Sequence, residues 1–390
     1  MSSVAPVRAI SIGVGAALVT GATLGNIGSN LMPVLLPSMA DRFHLSNTTA
    51  GVVATVQLLA TALAALALAP QAARPGRTTM ARAGLVATVA GFALASVAPG
   101  LALLVVGNAI AGVGLGAVYA AGMAAIAATG DTDKASTVTV LGGTVVIATL
   151  IILIPEADDA WGGAAAFVIL AALCLPAYWL VRALPDAPER SLGPSSGRPL
   201  PRLFLLALVL LGAVEQGAWS YCEVIGEDYA GMSAGAVSIV LSVVAVVSLA
   251  GAVLGPIACN RFGRVTVMAA FFGVEVVAKL VITVVPWAAS YTAAAIIWQI
   301  SYMGLLVLVL AVAASADPSG RWIAATSGAT AIGTGLGSAP VGWILDVWGA
   351  SGLGAVLALA TLLAAIPIMR TTRTVSTGFA EPLELADVRT

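Results

Sequence analysis

Residues 202–225 have the sequence RLFLLALVLLGAVEQGAWSYCEVI, an apolar run in which only Arg202, Glu215 and Glu223 are charged. A helix that crosses a bilayer needs about 20 largely apolar residues, and this run supplies that length. A transmembrane β-strand would instead alternate polar and apolar residues, which this run does not do. It therefore predicts a transmembrane helix. Its internal acids need an explanation, because a charge at mid-bilayer costs at least about 2.5–3.5 kcal/mol.

The composition extends this conclusion to the whole chain of 390 residues, of which 60% are hydrophobic and 9% charged, with a mean hydropathy of +1.04. A soluble domain carries about 25% charged residues, so a soluble enzyme is excluded. We predict an all-α polytopic membrane protein of twelve transmembrane helices in two pseudo-symmetric six-helix bundles. The predicted spans are 9–37, 48–70, 79–98, 101–128, 135–155, 161–183, 202–225, 235–258, 266–286, 291–315, 322–345 and 352–369.

The positive charges predict the orientation. With the N-terminus in the cytoplasm, all but two of the 17 Lys and Arg residues fall in cytoplasmic segments, the exceptions being Arg42 and Lys279. Such a bias marks the cytoplasmic side of a membrane. We therefore expect a multi-pass protein with both termini in the cytoplasm. The preference for Arg over Lys and the high Ala content favour a bacterial plasma membrane.

The longest polar interruption lies between the sixth and seventh predicted spans and is rich in Pro, Ser, Gly and Arg, as flexible linkers are. It predicts an N-terminal bundle over 1–184, a cytoplasmic linker over 185–201 and a C-terminal bundle over 202–370. We expect residues 371–390 to form a disordered cytoplasmic tail.

A short loop motif occurs once in each half. Residues 74–77 are RPGR and follow the second predicted span, whereas residues 261–264 are RFGR and follow the eighth. Repetition at a separation of about half the chain is typical of transporters built from two related halves.

With these two loops and six spans in each half, the chain resembles the major facilitator superfamily, whose loops carry the pattern GxxxDRxGRR. The resemblance covers the whole chain in topology, but Ala73 and Asn260 stand where the pattern has Asp. It implies a secondary transporter that works by alternating access. It also implies cytoplasmic gating loops, whose latch is weakened or rebuilt here, formed by Arg74, Gly76, Arg77, Asn260, Arg261, Gly263 and Arg264.

The acids of the seventh span are the first candidates for proton coupling. Glu215, Trp219 and Glu223 follow i, i+4, i+8 spacing on one helix face. In the family that this chain resembles, the seventh helix lines the cavity, so we expect Glu215 to face it and to bind the transported proton. A structural hydrogen bond to a neighbouring helix is the alternative for Glu215. Glu223 either shares the coupling role or lies in interfacial water beside Glu227 and Asp228.

A second charged pair lies on the ninth predicted span, where Glu275 and Lys279 are four residues apart. This spacing favours an ion pair along one helix. The ninth helix is peripheral in the resembled family, so a structural ion pair is the preferred interpretation. A role for Glu275 in proton coupling is the alternative.

Neutral polar and aromatic residues within the predicted spans are the candidates for substrate binding. Trp219, Trp298 and Tyr302 could form an aromatic wall for a flat or cationic ligand, although membrane aromatics are often interfacial anchors. The full predicted set is Asn26, Asn30, Gln57, Asn108, Tyr119, Gln216, Trp219, Trp298, Gln299 and Tyr302.

Small residues four apart let helix backbones approach closely in lipid. Such pairs occur at Gly21/Gly25, Gly112/Gly116, Gly251/Gly255 and Gly333/Gly337. We expect all four to serve helix packing.

The sequence predicts transport rather than catalysis. Three cysteines and one histidine are too few for a metal centre, a disulfide framework or an intramembrane catalytic cluster, and no cofactor is expected. The first hypothesis is proton-coupled export of a small neutral or cationic organic compound by antiport. The alternatives are proton-coupled uptake of a neutral or zwitterionic nutrient and, more remotely, lipid scrambling. The expected partners are the substrate, protons and membrane lipids. No nucleic acid is expected, and we expect a functional monomer.

Overall fold

The computed structural model describes residues 10–129, 131–186, 197, 199–317 and 319–377, and its ordered elements in these ranges are helices. The predicted all-α class is therefore confirmed. The α-helices are α1 (Ile12–Gly25), α2 (Ile27–Phe43), α3 (Asn47–Ala72), α4 (Arg77–Ser96), α5 (Leu101–Ala127), α6 (Thr132–Trp161), α7 (Ala165–Leu180), α8 (Arg202–Ser220), α9 (Cys222–Asp228), α10 (Ala234–Val247), α11 (Leu249–Phe262), α12 (Arg264–Val284), α13 (Ala288–Ala316), α14 (Arg321–Leu336) and α15 (Ser338–Thr377).

Within the described residues, ten helical segments are long and apolar enough to cross a membrane, or eleven when α1 and α2, bent by 48°, count as one span. The last segment, Arg321–Ser376, has 56 residues and contains a break at Gly349, whose φ of 66° and ψ of −172° are not helical. Dividing it at this glycine yields twelve apolar segments, in agreement with the sequence prediction.

Four predicted spans are broken where the sequence suggests continuous helices. The breaks lie at Asn26 between α1 and α2, at Tyr221 between α8 and α9, at Ser248 between α10 and α11, and at Gly337 between α14 and α15. Asn26 has φ −100° and ψ 2°, and its backbone N–H still reaches Ala22 O and Thr23 O. A broken transmembrane helix is tolerated when its backbone groups find such replacement partners.

The helices form two compact units. The first contains the described residues up to 186 together with Trp219–Glu223 and Ser338–Gly342, and the second contains the remaining described residues. In the first unit, the glycines of α5 allow this helix to approach its neighbours closely. A Cβ at Gly112, for example, would overlap the carbonyl oxygen of Gln57 on α3. In the second unit, a Cβ at Gly251 on α11 would overlap the carbonyl oxygen of Ile300 on α13.

The second unit has its own apolar core. Side chains from α8, α12, α13 and α15 pack together there, among them Phe204, Met268, Leu305 and Ile368, each at most 1% exposed. This core holds in place the four helices that carry the site described below.

The ends of the predicted domains are partly described. The last helix extends to Thr377, seven residues beyond the end of the predicted C-terminal bundle. Residues 378–390 of the predicted tail, and most of the predicted linker over 185–201, lie outside the described residues.

Candidate functional site

Four helices of the second unit place polar side chains at one buried point. We call this the ion cluster, and its members are Glu215 of α8, Glu275 and Lys279 of α12, Trp298 of α13 and Thr361 of α15. The side chains are 0–3% exposed. Lys279 Nζ donates to Glu275 Oε2 at 3.0 Å, to Thr361 Oγ1 at 3.1 Å and to Glu215 Oε1. Trp298 Nε1 donates to Glu215 Oε2 at 2.6 Å.

Helix geometry explains this convergence. Glu275 and Lys279 are one turn apart on α12, so their side chains lie one above the other on the same face. Helix α15 approaches that region closely, because a Cβ at Gly354 would overlap the hydroxyl of Thr283. Thr361 follows Gly354 by about two turns on the same face of α15. Its hydroxyl reaches Lys279 while donating to Leu357 O at 2.8 Å.

The hydrogen bonds of the ion cluster are unevenly distributed. An ammonium group has three donors, and Lys279 uses all three. Glu215 accepts at both of its oxygens. By contrast, Glu275 Oε1 is buried without a hydrogen-bond partner among the described residues.

The charges of the ion cluster do not cancel. Two carboxylates and one ammonium leave a surplus of one negative charge when all three groups are ionised. A buried carboxylate without a compensating charge is so unfavourable that it takes up a proton or a cation instead. The site can therefore hold one exchangeable positive charge.

The sequence predicts this site only in part. The contact between Glu275 and Lys279 has the spacing expected from the sequence. Glu215, which we expected to face a cavity, is 3% exposed and pairs with Lys279, a residue 64 positions away. Glu223 is also buried, but it belongs to the first unit and is outside the ion cluster.

A second set of predicted residues meets in the first unit, around the break between α1 and α2. Asn26 is exposed at the break, and its backbone oxygen accepts from Asn30 Nδ2 at 3.0 Å. Trp219 Nε1 donates to Asn30 O at 3.1 Å. The phenol of Tyr119 on α5 interacts with the side chain of Asn26. Four of the ten predicted substrate-binding residues are thus close together.

Two further candidates lie deeper in the first unit. Gln57 is 1% exposed, and neither its amide nitrogen nor its amide oxygen has a partner among the described residues. Asn108 is fully buried, and its Nδ2 donates to Leu104 O at 2.9 Å while its Oδ1 has no described partner. Both side chains therefore have unsatisfied hydrogen-bonding groups. Each buried polar group without a partner costs about 1–3 kcal/mol.

The remaining candidates belong to the second unit. Trp298 and Tyr302 lie there on α13, with Trp298 in the ion cluster and Tyr302 close enough to both carboxylates to interact electrostatically. Gln216 is buried and Gln299 half-buried. Trp219, the third member of the predicted aromatic wall, belongs to the first unit.

The two gating loops share a backbone feature. Gly76 and Gly263 have φ values of 112° and 80°, and each immediately precedes a helix. This left-handed region favours glycine. Arg74, Asn260 and Arg261 are exposed at these loops. In the second loop, Arg264 Nη1 donates to Ser315 Oγ at 3.4 Å.

The first loop has an acidic partner that the sequence analysis missed. The Asp186 carboxylate accepts from the backbone N–H groups of Gly76, at 2.9 and 3.0 Å, and Arg77, at 3.0 Å. The buried Arg77 side chain donates to Ala72 O at 2.6 Å and to Pro185 O at 3.0 Å. Asp186 thus caps the N-terminus of α4 with a negative charge, although Ala73 occupies the expected acidic position.

Known structures share this architecture. A bacterial homolog of the human lysosomal transporter Spinster, inward-facing and unoccupied, is 16% identical, with 93% of this chain and 97% of that chain covered and a TM-score of 0.68. A D-xylose–proton symporter is 15% identical over 92% and 97% of the two chains, with a TM-score of 0.69. A nucleoside transporter mutant is 12% identical over 93% and 100%, with a TM-score of 0.74. At these identities the likeness shows the fold alone.

Sequence comparison supplies the family. A search of curated proteins found no match. Residues 17–321 match the model of the Major Facilitator Superfamily, which is more than half of the chain. The chain therefore belongs to the Major Facilitator Superfamily and is a transporter rather than an enzyme.

Proposed function

We propose that this transporter is driven by the proton gradient and exports a small neutral or cationic organic compound by antiport. The observation that carries the proposal is the surplus carboxylate of the ion cluster, a buried negative charge that a proton would neutralise. One proton crossing 100 mV supplies about 2.3 kcal/mol. That energy is enough to bias an equilibrium between two conformations by more than about tenfold.

The basic residues support a substrate without negative charge. Among the described residues, the buried basic side chains are Arg77 and Lys279, and acceptors already engage both. Neither of these two basic side chains is therefore available to bind an anionic substrate. The cluster of Asn26, Tyr119 and Trp219 instead combines aromatic faces with amide groups, which suits a neutral or cationic compound.

In the proposed cycle, the ion cluster binds a proton when water reaches it and releases the proton on the other side of the membrane. The chain would alternate between inward-open and outward-open conformations, as transporters with internal repeats do. We place both termini in the cytoplasm and the chain in a bacterial plasma membrane, because this orientation satisfies the distribution of Lys and Arg.

Proton-coupled uptake is the second candidate. The ion cluster serves symport as well as antiport, since either mode needs one residue that gains and loses a proton. A structural relative of this chain is itself a D-xylose–proton symporter. The direction of proton movement relative to substrate separates the two modes.

The test uses the purified chain in liposomes that enclose a pH-sensitive dye, with the membrane potential clamped. Ethidium, uridine and D-xylose are first ranked by the increase in melting temperature that each produces, because a ligand of the native state stabilises it. The compound that stabilises most is then added outside. Antiport makes the lumen alkaline as the compound enters, whereas symport makes it acidic.

Three variants sharpen this test. Glu215→Gln and Glu275→Gln should each abolish the change in lumen pH while exchange of labelled for unlabelled substrate continues. Glu156→Gln makes the same chemical change at an exposed site and should behave as wild type. Substrate entry without any change in lumen pH in the wild-type chain would refute proton coupling.

A further inference from the structure

We infer that, within the ion cluster, Glu275 holds the exchangeable proton, while Glu215 and Lys279 form a pair that stays charged. This assignment takes its physiological meaning from the proposed proton coupling. It reverses the order of preference that the sequence suggests, because it moves the proton from the seventh predicted span to the ninth. The two carboxyl groups differ in how many of their oxygen atoms already accept hydrogen bonds.

Both oxygens of Glu215 already accept a hydrogen bond from a strong donor. Its Oε1 accepts from the Lys279 ammonium, and its Oε2 accepts from the Trp298 indole at 2.6 Å. Neither donor can reverse its role, since an ammonium and an indole N–H have no acceptor. Protonation of Glu215 would remove the negative charge to which both donors bind and would therefore weaken both hydrogen bonds. Both hydrogen bonds favour the ionised form of Glu215.

Glu275 is the opposite case. Its Oε2 accepts from Lys279 at 3.0 Å, and its buried Oε1 has no partner among the described residues. A proton can be placed on Oε1 without breaking any of the hydrogen bonds described above. It also removes the surplus negative charge, so that the neutral acid lies beside a balanced ion pair. Lys279 keeps its three acceptors in both states.

The charged surroundings of Glu275 come from three helices. Lys279 is on its own helix α12, Glu215 lies on α8, and the phenol of Tyr302 on α13 interacts electrostatically with both carboxylates. Helix α15 contributes Thr361, which has no charge in either state. The two carboxyl groups together carry one more negative charge than Lys279 balances, so a single proton neutralises the ion cluster. The hydrogen bonds then decide which member holds the proton.

The test is an infrared difference spectrum of the purified full-length chain between acidic and alkaline buffer, which reports the C=O stretch of protonated carboxyl groups. The wild-type spectrum minus that of a variant isolates one carboxyl. We expect the wild-type chain to show a carboxyl band that Glu275→Gln removes. Glu215→Gln should remove it as well, because that variant leaves Glu275 as the one carboxylate beside Lys279 and no surplus charge. Glu156→Gln supplies the spectrum of an exposed carboxyl for comparison. Retention of the band in Glu275→Gln would overturn the assignment.

Aspartate variants assign the band, because they keep the surplus charge of the ion cluster while moving one carboxyl group. Glu275→Asp should shift the band, because the carboxyl group moves, and Glu215→Asp should leave it in place. A shift in Glu215→Asp without a shift in Glu275→Asp would overturn the inference. A sodium ion could take the place of the proton. In that case the wild-type chain would have no such band, and sodium chloride would raise the melting temperature of wild type but not of Glu275→Gln. This result would show that the inference is wrong.

The two proposals can fail separately, because the infrared measurement needs neither substrate nor gradient. A Glu275 band in a chain that moves no protons in liposomes contradicts the proposed function alone. Proton movement in a chain whose band belongs to Glu215 contradicts this inference alone.

Discussion

Replacing Lys279 by Met tests whether the ion cluster depends on its single cation. Lysine and methionine have similar lengths, so the main change is the loss of the ammonium group that holds Glu215, Glu275 and Thr361. Two buried carboxylates then share one site without a counter-charge. Removing one partner of a buried ion pair costs about 3–5 kcal/mol. With about 2–4 °C per kcal/mol for a unit of this size, we expect the melting temperature to fall by about 6–20 °C.

The loss should depend on pH. Without Lys279, the folded chain can relieve the repulsion between its carboxylates only by taking up protons, which the unfolded chain holds less tightly. Stability falls with rising pH wherever the folded state binds more protons. Each pH unit changes the free energy by about 1.4 kcal/mol per proton. The melting temperature of Lys279→Met should therefore be closer to wild type in acidic buffer than in alkaline buffer.

The assay is thermal unfolding of the purified chain, followed by intrinsic tryptophan fluorescence at a fixed scan rate. Lys134, the only other lysine of the chain, is exposed, so Lys134→Met is the matched control and should unfold with wild type. Adding Glu215→Gln and Glu275→Gln to Lys279→Met removes all three charges and should restore most of the stability. A shift of less than about 2 °C for Lys279→Met in alkaline buffer would refute the reasoning. So would a triple variant that is as unstable as the single variant.

Three further substitutions probe the surrounding structure, each measured by the same thermal unfolding. Asp186→Ala removes the cap of α4 and should destabilise the chain by about 0.5–2 kcal/mol, whereas the exposed Asp159→Ala should not; equal effects would contradict the capping role. Gln57→Met replaces an unpartnered buried amide by an apolar side chain of similar size and should stabilise the chain by about 1–3 kcal/mol, so a lower melting temperature would show that the amide has a partner. Gly251→Ala should destabilise the chain severely, because the added Cβ would meet the backbone of α13. Gly273→Ala, whose added Cβ would have no neighbour within 4 Å, should be neutral or stabilising by about 1 kcal/mol. Similar effects of the two substitutions would contradict the packing.

The sequence predicts well what depends on local composition. The apolar runs indicate the spans, and dividing the last helical segment at Gly349 recovers all twelve. The spacing of Glu275 and Lys279 predicts their contact, because residues four apart on a helix are neighbours. The breaks in predicted spans were not foreseen. A helix with an Asn at position 26 or a Ser at position 248 is continuous or broken according to its tertiary packing.

The ion cluster itself was beyond prediction because its contacts are distant in sequence. Lys279 is 64 positions from Glu215 and 82 from Thr361, and Trp298 is 83 positions from Glu215. One signal was available, since Lys279 is the only basic residue more than three positions from the end of a predicted span, and buried acids need a counter-charge. Asp186, 110 positions from Gly76, had no comparable signal, because it lies where the sequence suggests a flexible linker.

The location of the ion cluster constrains how it could drive transport. All of its members belong to the second compact unit, so a proton can be bound there without any group from the first unit. Binding alone cannot drive a conformational change, because a ligand shifts an equilibrium only by its differential affinity for the two states. The affinity of the cluster for a proton depends on the burial of its surplus carboxylate away from water, since water would stabilise the ionised carboxylate directly. Coupling would therefore arise from a change in hydration between two conformations of the chain, with the proton favouring the conformation in which the cluster is buried as it is here.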